Sequence, residues 1–182
     1  VYNGVPARGP KLLDRTDVHP EHEHGLVAAT RAALSPGDDA VLIGGGFGTS
    51  AVHASDAVGP EGSVTVYEAS RDMFECLTDT LSMNDCNNVT ARHAVGGQPG
   101  DIWGELGDAD HVLPTGLPSC DVLQLDCEGA ELDILAALDK WPPEIVVETH
   151  GVYGAPTDDV IELLEERGYT VGQIRDHIPG ST

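Results

Sequence analysis

Apolar residues recur along this 182-residue chain with two different spacings. Short apolar runs such as "AVLIGG" (40–45) and "SVTVYEA" (63–69) are bounded by Gly, Pro and Asp, which is typical of buried strands. Between them, "TSAVHASDAV" (49–58) has the spacing of a helix. Further predicted strands are 88–95, 120–126, 142–150 and 169–177, and further predicted helices are 19–34, 71–85, 128–141 and 157–168.

Strands that alternate with helices predict a mostly parallel sheet, because each parallel pair needs a crossover connection. The predicted fold class is therefore α/β, with a Rossmann-like, doubly wound sheet. Residues 1–182 are expected to form one domain, in which 1–38 are an N-terminal segment and helix and 39–175 are the cofactor-binding core. Ligands in such sheets bind at the carboxyl ends of strands, where strand order reverses.

A glycine-rich loop follows the first strand and indicates a cofactor site. Gly44, Gly46 and Gly48 have the spacing G-x-G-x-G, and a loop of this kind before a helix offers backbone N–H groups to a ligand. A dinucleotide fingerprint would need a small residue where Thr49 stands. Glu68 ends the second strand, and its carboxylate can accept both hydroxyls of a ribose. The glycine spacing therefore favours a cofactor other than a dinucleotide, and NAD remains the alternative.

The glycine spacing resembles that of class I S-adenosylmethionine methyltransferases. The segment "LDCEGAEL" (125–132) resembles more specifically the FkbM-type family, and weaker likeness extends from "PGDDAVLIGGGFGTS" to "VVETHG". The resemblance implies the class I methyltransferase fold, S-adenosyl-L-methionine as cofactor, and transfer of a methyl group to a hydroxyl oxygen of a small molecule or sugar. Two departures stand out: Leu42 replaces an acid common in such enzymes, and the seventh strand is short or absent.

Candidate catalytic residues end the fourth and fifth predicted strands. We expect Asp126 to line the cleft beside the cofactor, as both a cofactor-binding and a catalytic residue, because a strand-end carboxylate has no helix to cap. His150 is a candidate general base, since an ordinary histidine pKa lies near 6.5. Glu148 lies two residues earlier on the same face. Glu128 and Glu131 are expected to favour the start of the next helix by capping and by its dipole.

Three further expectations concern the cofactor and metals. The backbone at Ala94 is expected to bond the edge of the adenine. The helix near 19–34 is expected to cover the cleft, with Glu23 or His22 near the ligand. We expect no metal site, because His22 and a histidine two residues later point in different directions on a helix.

The charge of the chain is strongly negative. It has 31 acidic residues against 9 Lys and Arg, a formal net charge of −22, which indicates adaptation to high salt and argues against nucleic acid as a partner. The 4 cysteines lack zinc-site spacing, and the sequence has no apolar stretch long enough to span a bilayer. A cytoplasmic protein with a small-molecule substrate, and no membrane partner, is expected.

Acceptor specificity is expected from the stretch 96–118, where Trp103 is the notable aromatic residue, and from residues before Pro20. Besides a methyltransferase, the sequence leaves open an NAD-dependent oxidoreductase and a cofactor-binding module without catalysis. The oligomeric state is left open.

The charge count predicts that stability rises with salt. Repulsion among 31 acidic side chains is screened when the Debye length falls from about 10 Å at 0.1 M to about 3 Å at 1 M. Thermal melting in molar KCl is therefore expected well above melting in dilute buffer. A melting temperature that does not change between roughly 0.1 and 2 M KCl would contradict the adaptation to salt.

Overall fold

A six-stranded parallel sheet forms the centre of the computed structural model, which describes residues 1–9, 18–97 and 105–174. The strands are β1 (Asp39–Ile43), β2 (Ser63–Glu68), β3 (Val89–Gly96), β4 (Asp110–Val112), β5 (Val122–Leu125) and β6 (Glu144–Val147). The α-helices are α1 (His24–Ala33), α2 (Thr49–Val58), α3 (Arg71–Met83), α4 (Glu131–Ala136) and α5 (Thr157–Glu166). The predicted fold class is confirmed.

The strand order is β4-β3-β2-β1-β5-β6. From β1 the chain builds β2, β3 and β4 toward one edge of the sheet, and it then returns to the centre, where β5 pairs with the free side of β1. This reversal opens a cleft between the carboxyl ends of β1 and β5. β1 is buried on both faces, with Leu42 in one apolar core and Val41 and Ile43 in the other. Leu42 thus packs in the core and offers no polar group at the end of β1.

Helix α1 is tied to β5 by a buried polar contact. The hydroxyl of Thr30 donates to Oε1 of Gln124 over 2.8 Å, and both residues are 0% exposed. Because buried polar groups are costly without partners, this bond fixes where α1 crosses the sheet. It also fixes the segment just before α1, which lies at the cleft.

Several predicted elements are shorter in the structure. The helix predicted over 19–34 begins only at His24, because Glu23 has a left-handed backbone with φ of 49°. The helix predicted over 128–141 is reduced to α4, because Glu128 and Gly129 also have positive φ, 52° and 101°. These left-handed residues cannot continue a right-handed helix.

The edges of the sheet differ from the sequence prediction. β4 forms within the stretch 96–118, for which the sequence predicts no strand, and it extends the sheet beside Ala94–Gly96 of β3. The strand predicted over 169–177 is not formed at 169–174, and 175–177 lie outside the described residues, as does Trp103. Within the part of the chain that the structure describes, no seventh strand is present. No helix in that part has both the length and the apolar content to cross a bilayer.

The contact between the first loop and β5 gives a test of packing. Gly44 and Gly37 have nearly equal positive φ, 93° and 94°, but an added Cβ at Gly44 would lie 1.6 Å from the Asp126 carbonyl oxygen, whereas one at Gly37 would have nothing within 4 Å. We expect Gly37→Ala to lower the free energy of unfolding by about 1–2 kcal/mol through backbone strain alone. Gly44→Ala should cost roughly 3 kcal/mol or more, since backbone must move as well. Equal losses in urea unfolding would contradict this packing.

Candidate active site

The loop between β1 and α2 has a backbone that needs glycine. Gly44, Gly46 and Gly48 have φ values of 93°, 48° and 88°, in the left-handed region that other residues rarely adopt. Gly48 is the residue that precedes α2, so the loop ends at the N-terminus of a 10-residue helix. The three predicted glycines therefore form one turn at the cleft.

Glu68 fastens this loop to the end of β2. Its Oε2 accepts hydrogen bonds from the backbone N–H groups of Gly45 at 2.9 Å and Gly46 at 2.8 Å, and its Oε1 accepts from the N–H of Ser70 at 2.7 Å. Burial raises the pKa of Glu68, and these N–H bonds oppose the rise. Since each carboxylate oxygen has two lone pairs, Oε1 keeps capacity for a ribose hydroxyl. The predicted role of Glu68 at the ribose stays a prediction.

Ala94 lies inside β3. It is 3% exposed and pairs with Asp110 of β4, one residue beyond the Glu68–His93 pair. Its backbone therefore lies just past the carboxyl end of β2, and its proposed bond to adenine stays a prediction. The neighbouring His93 stacks on Phe74 with ring centroids 5.2 Å apart, and its buried Nε2 has no hydrogen-bond partner among the described residues. Sequence reasoning assigned no role to this ring.

Asp126 and His150, the two predicted catalytic residues, lie close together. Asp126 follows β5 directly, and its N–H donates to the Ile43 carbonyl over 2.9 Å, which holds its side chain at the cleft. His150 follows β6, and its Nε2 lies 3.6 Å from Asp126 Oδ1 and 3.7 Å from Glu128 Oε2. The carboxyl ends of β5 and β6 thus bring an imidazole and two carboxylates into one group.

Glu131 holds the other side of the imidazole. Its Oε1 lies 2.7 Å from His150 Nδ1 and also accepts the N–H of Cys127 over 3.1 Å. Glu131 is 0% exposed, so this carboxylate is shielded from water. A proton on Nδ1 therefore donates to Glu131, which leaves Nε2 directed toward Asp126 and Glu128.

The charges of this cluster shift the pKa values of its members. Burial alone would lower the pKa of His150, but the bond to Glu131 and the charges of Glu131, Asp126 and Glu128 raise it to about 9. Burial would raise the pKa of Glu131, but the bond from His150 makes the net change a decrease. Burial raises the pKa of Asp126, the charges of Glu148 and Glu23 raise it further, and His150 opposes them.

The capping role expected for Glu128 and Glu131 is not the one observed. α4 has Ala130 at its N-cap and no side-chain cap, and Glu128 lies before the helix in a left-handed conformation. Glu131 does accept one backbone N–H, from Cys127, but its shortest contact is His150. A sequence signal existed: Glu131 shares a helical face with Ile134 and Leu135, which are buried, and an acid on a buried face needs a partner.

One group of side chains has the placement that a metal ion needs. Asp126, Glu148 and His150 each offer a ligand atom, and these atoms lie within 4.8 Å of one another. Carboxylate and imidazole ligands of this kind suit several divalent metals. It is the one such group within the described ranges, and it does not include the histidines of residues 19–24. The expectation that the protein holds no metal stays a prediction.

Comparison with known proteins finds likeness to methyltransferases in part of the sequence and in the fold. Residues 108–171 match the family model "Methyltransferase FkbM domain". A precorrin-6y C5,15-methyltransferase from Geobacter metallireducens GS-15 has 19% identity and a TM-score of 0.58, over 88% of this chain and 78% of that one. No curated protein sequence matches the chain.

Two further solved structures share the fold. A SAM-dependent O-methyltransferase from Thermotoga maritima has 17% identity and a TM-score of 0.54, over 82% of this chain and 50% of that one. Fibrillarin from Aeropyrum pernix, in complex with natively bound S-adenosyl-L-methionine, has 16% identity and a TM-score of 0.51, over 82% of this chain and 66% of that one. The chain therefore spans about half of the length of the Thermotoga protein.

The role of Glu131 gives a prediction for the imidazole. In Glu131→Gln the pKa of His150 should fall by about 1–3 pH units, because an opposite charge in direct contact is removed. Glu128→Gln is the control, since Glu128 is more exposed and 3.7 Å away, and should cause a smaller decrease. Titration of the His150 ring by NMR measures both; equal decreases would show that Glu131 is not the dominant partner.

Residues 108–171 thus resemble the methyltransferase FkbM domain, and the parallel sheet has the fold of solved methyltransferases.

Proposed function

We propose that this protein transfers a methyl group from S-adenosyl-L-methionine to a hydroxyl oxygen of a small molecule or sugar. The observation that carries the proposal is the His150 imidazole, which is fixed by buried Glu131 and directs its free Nε2 toward Asp126 at the cleft. A positioned imidazole is the usual proton acceptor for a hydroxyl. Support for the cofactor comes from the FkbM domain match.

The residues at the cleft fit this cofactor. Its sulfonium and α-ammonium are cationic, and the carboxylates of Glu23, Asp126, Glu128 and Glu148 influence one another across the cleft. The glycine loop lets the backbone approach a ligand closely, and Oε1 of Glu68 can accept one hydroxyl of the ribose. When bound, S-adenosylmethionine supplies a methyl group on sulfur that needs no further activation.

The chain's own residues then have separate tasks. Nε2 of His150 accepts the proton of the acceptor hydroxyl, while Glu131 keeps the ring in place through Nδ1. Asp126, next to Nε2, stabilises the imidazolium that this transfer produces. Orientation contributes most of the rate, because the methyl donor is already activated.

The high pKa of His150 imposes a pH dependence. At neutral pH an imidazole with a pKa of about 9 carries a proton and cannot accept another. Because a pKa above the working pH leaves little neutral base, kcat/KM in the free enzyme should rise with pH, reach half of its maximum near pH 9 and level off above that pH. His150→Gln should lower kcat by roughly 10²–10⁴-fold and remove this dependence.

A matched variant is His111→Gln, which replaces an exposed histidine on β4 and should keep the wild-type profile. The measurement is formation of S-adenosylhomocysteine with hydroxyl acceptors, each variant first checked for folding. The assignment of His150 as general base would be contradicted if kcat/KM of the wild type were flat from pH 6 to 9.5. It would also be contradicted if His150→Gln kept the pH dependence of the wild type.

A metal-dependent version of the reaction is favoured by one observation, the Asp126–Glu148–His150 group. In that version a divalent cation would bind the acceptor oxygen and lower its pKa. Chelation by EDTA distinguishes the two: activity that is lost and then restored by Mg²⁺ or Mn²⁺ favours the cation, and unchanged activity favours His150 alone.

Binding experiments distinguish a methyltransferase from an NAD-dependent oxidoreductase and from a cofactor-binding module. A calorimetric titration with S-adenosylmethionine and with NAD should show preference for the former, and preference for NAD would favour an oxidoreductase. Binding without methyl transfer to any of a broad set of hydroxyl compounds would favour a module without catalysis. The acidic composition supports assays in molar KCl and argues against a nucleic-acid partner. A small-molecule acceptor, a cytoplasmic setting and the lack of a membrane partner belong to the same proposal.

A further inference from the structure

Glu23 has an unusual backbone for its residue type. It precedes α1 with φ of 49° and ψ of 28°, and makes no side-chain cap to that helix. Non-glycine residues with positive φ are uncommon and concentrate at functional sites. In the described residues they are Asn3, Glu23, Asp85 and Glu128, so two of the four are glutamates whose charges act on Asp126.

The carboxylate of Glu23 has one hydrogen-bond donor and one close imidazole. The hydroxyl of Ser50, in the first turn of α2, donates to its Oε2 over 2.9 Å. Nε2 of His22 lies 3.0 Å from its Oε1 but makes no hydrogen bond within the described residues. The His22 ring is in turn packed by Tyr2 and by Phe47 of the glycine loop, with centroids 4.9 and 5.7 Å away. The carboxylate is therefore positioned before any ligand arrives.

This carboxylate lies over the glycine loop. Its Oε1 is 3.9 Å from the position that a Cβ on Gly46 would take, so it faces the open side of the loop. Its charge raises the pKa of Asp126, which means that the two carboxylates influence each other at the same cleft. A cation bound between the loop and Asp126 would relieve this repulsion.

The end of the glycine loop favours a negatively charged group, whereas the Glu23 carboxylate favours a cation. α2 begins at Thr49 directly after the loop, and a helix N-terminus favours a carboxylate. The hydroxyl of Thr49 is buried, with the residue 1% exposed, and has no hydrogen-bond partner among the described residues. An acceptor of cations and a helix N-terminus with an unpartnered hydroxyl thus lie at one end of the cleft, and this pairing of opposite charge preferences suits a zwitterionic amino acid.

We propose that Glu23 binds the α-ammonium of the cofactor's amino-acid end and so makes the site prefer ligands that carry that end over ligands with adenosine alone. This assignment rests on the proposed function, since it concerns the same cofactor. It gives the N-terminal segment a binding role that the sheet itself does not provide. Ser50 and His22 act through Glu23 as positioning residues.

The test compares three ligands: S-adenosylhomocysteine, its deaminated analogue, and 5′-methylthioadenosine, which lacks the whole amino-acid end. By calorimetry, Glu23→Gln should weaken S-adenosylhomocysteine by about 10–100-fold, as expected for loss of a charged hydrogen bond. Affinity for the other two ligands should stay within about twofold. Glu21→Gln, on the exposed turn two residues earlier, is the control and should change none of them.

Two further variants distinguish a loss of ligand binding from a defect in folding. Glu23→Asn removes the charge with a residue that tolerates the left-handed backbone, and should give the same ligand pattern. Ser50→Ala should weaken S-adenosylhomocysteine alone, and by less. Equal weakening of all three ligands, or no change in any, would overturn the assignment of Glu23 while leaving the methyltransferase proposal intact. Wild-type protein that binds none of the three would overturn both.

Discussion

The site depends on the close approach of two backbones at the centre of the sheet. Gly44 leaves β1 so near the Asp126 carbonyl that a Cβ there would lie 1.6 Å from that oxygen. The approach is possible because β1 pairs in parallel with both β2 and β5, and the helices that follow β1 and β5 pack into different cores. That contact places the glycine loop beside Asp126, and the hydrogen bonds of Glu68 to Gly45 and Gly46 fasten the loop to β2.

Charge acts differently at the surface and at the cleft. The net charge of −22 is spread along the chain, and the repulsion between exposed acids weakens as salt shortens the Debye length. The carboxylates around His150 are partly or fully buried, so salt screens them much less. At high salt such a cleft still attracts cations, although the attraction of cations to the exposed acidic surface is screened. Cationic ligands therefore suit it over a wide range of ionic strength.

Glu131 shows how one buried acid changes the chemistry of a neighbour. Without a partner, a fully buried carboxylate would be costly, and without Glu131 the ring of His150 would lose the largest of the interactions that raise its pKa against burial. Together they form a short charged pair on one side of the imidazole, which leaves the other nitrogen for the cleft. The same pair raises the pKa of the ring above neutral pH. It therefore positions the base and also restricts its action to a pH at which the ring is neutral.

The sequence by itself determined five of the six strands of the sheet and the places where they end. Local periodicity identified α2 in full and β1, β2, β3, β5 and β6 within one to three residues, because apolar spacing and Gly or Pro boundaries are local signals. It also placed Asp126 and His150 at strand ends, from which a shared cleft follows by topology. Only the tertiary structure decided that Glu131 faces His150, that Glu23 lies over the glycine loop, and that residues 169–174 form no strand. The left-handed backbones of Glu23 and Glu128 are maintained by contacts between distant segments, and local propensity contains no information about such contacts.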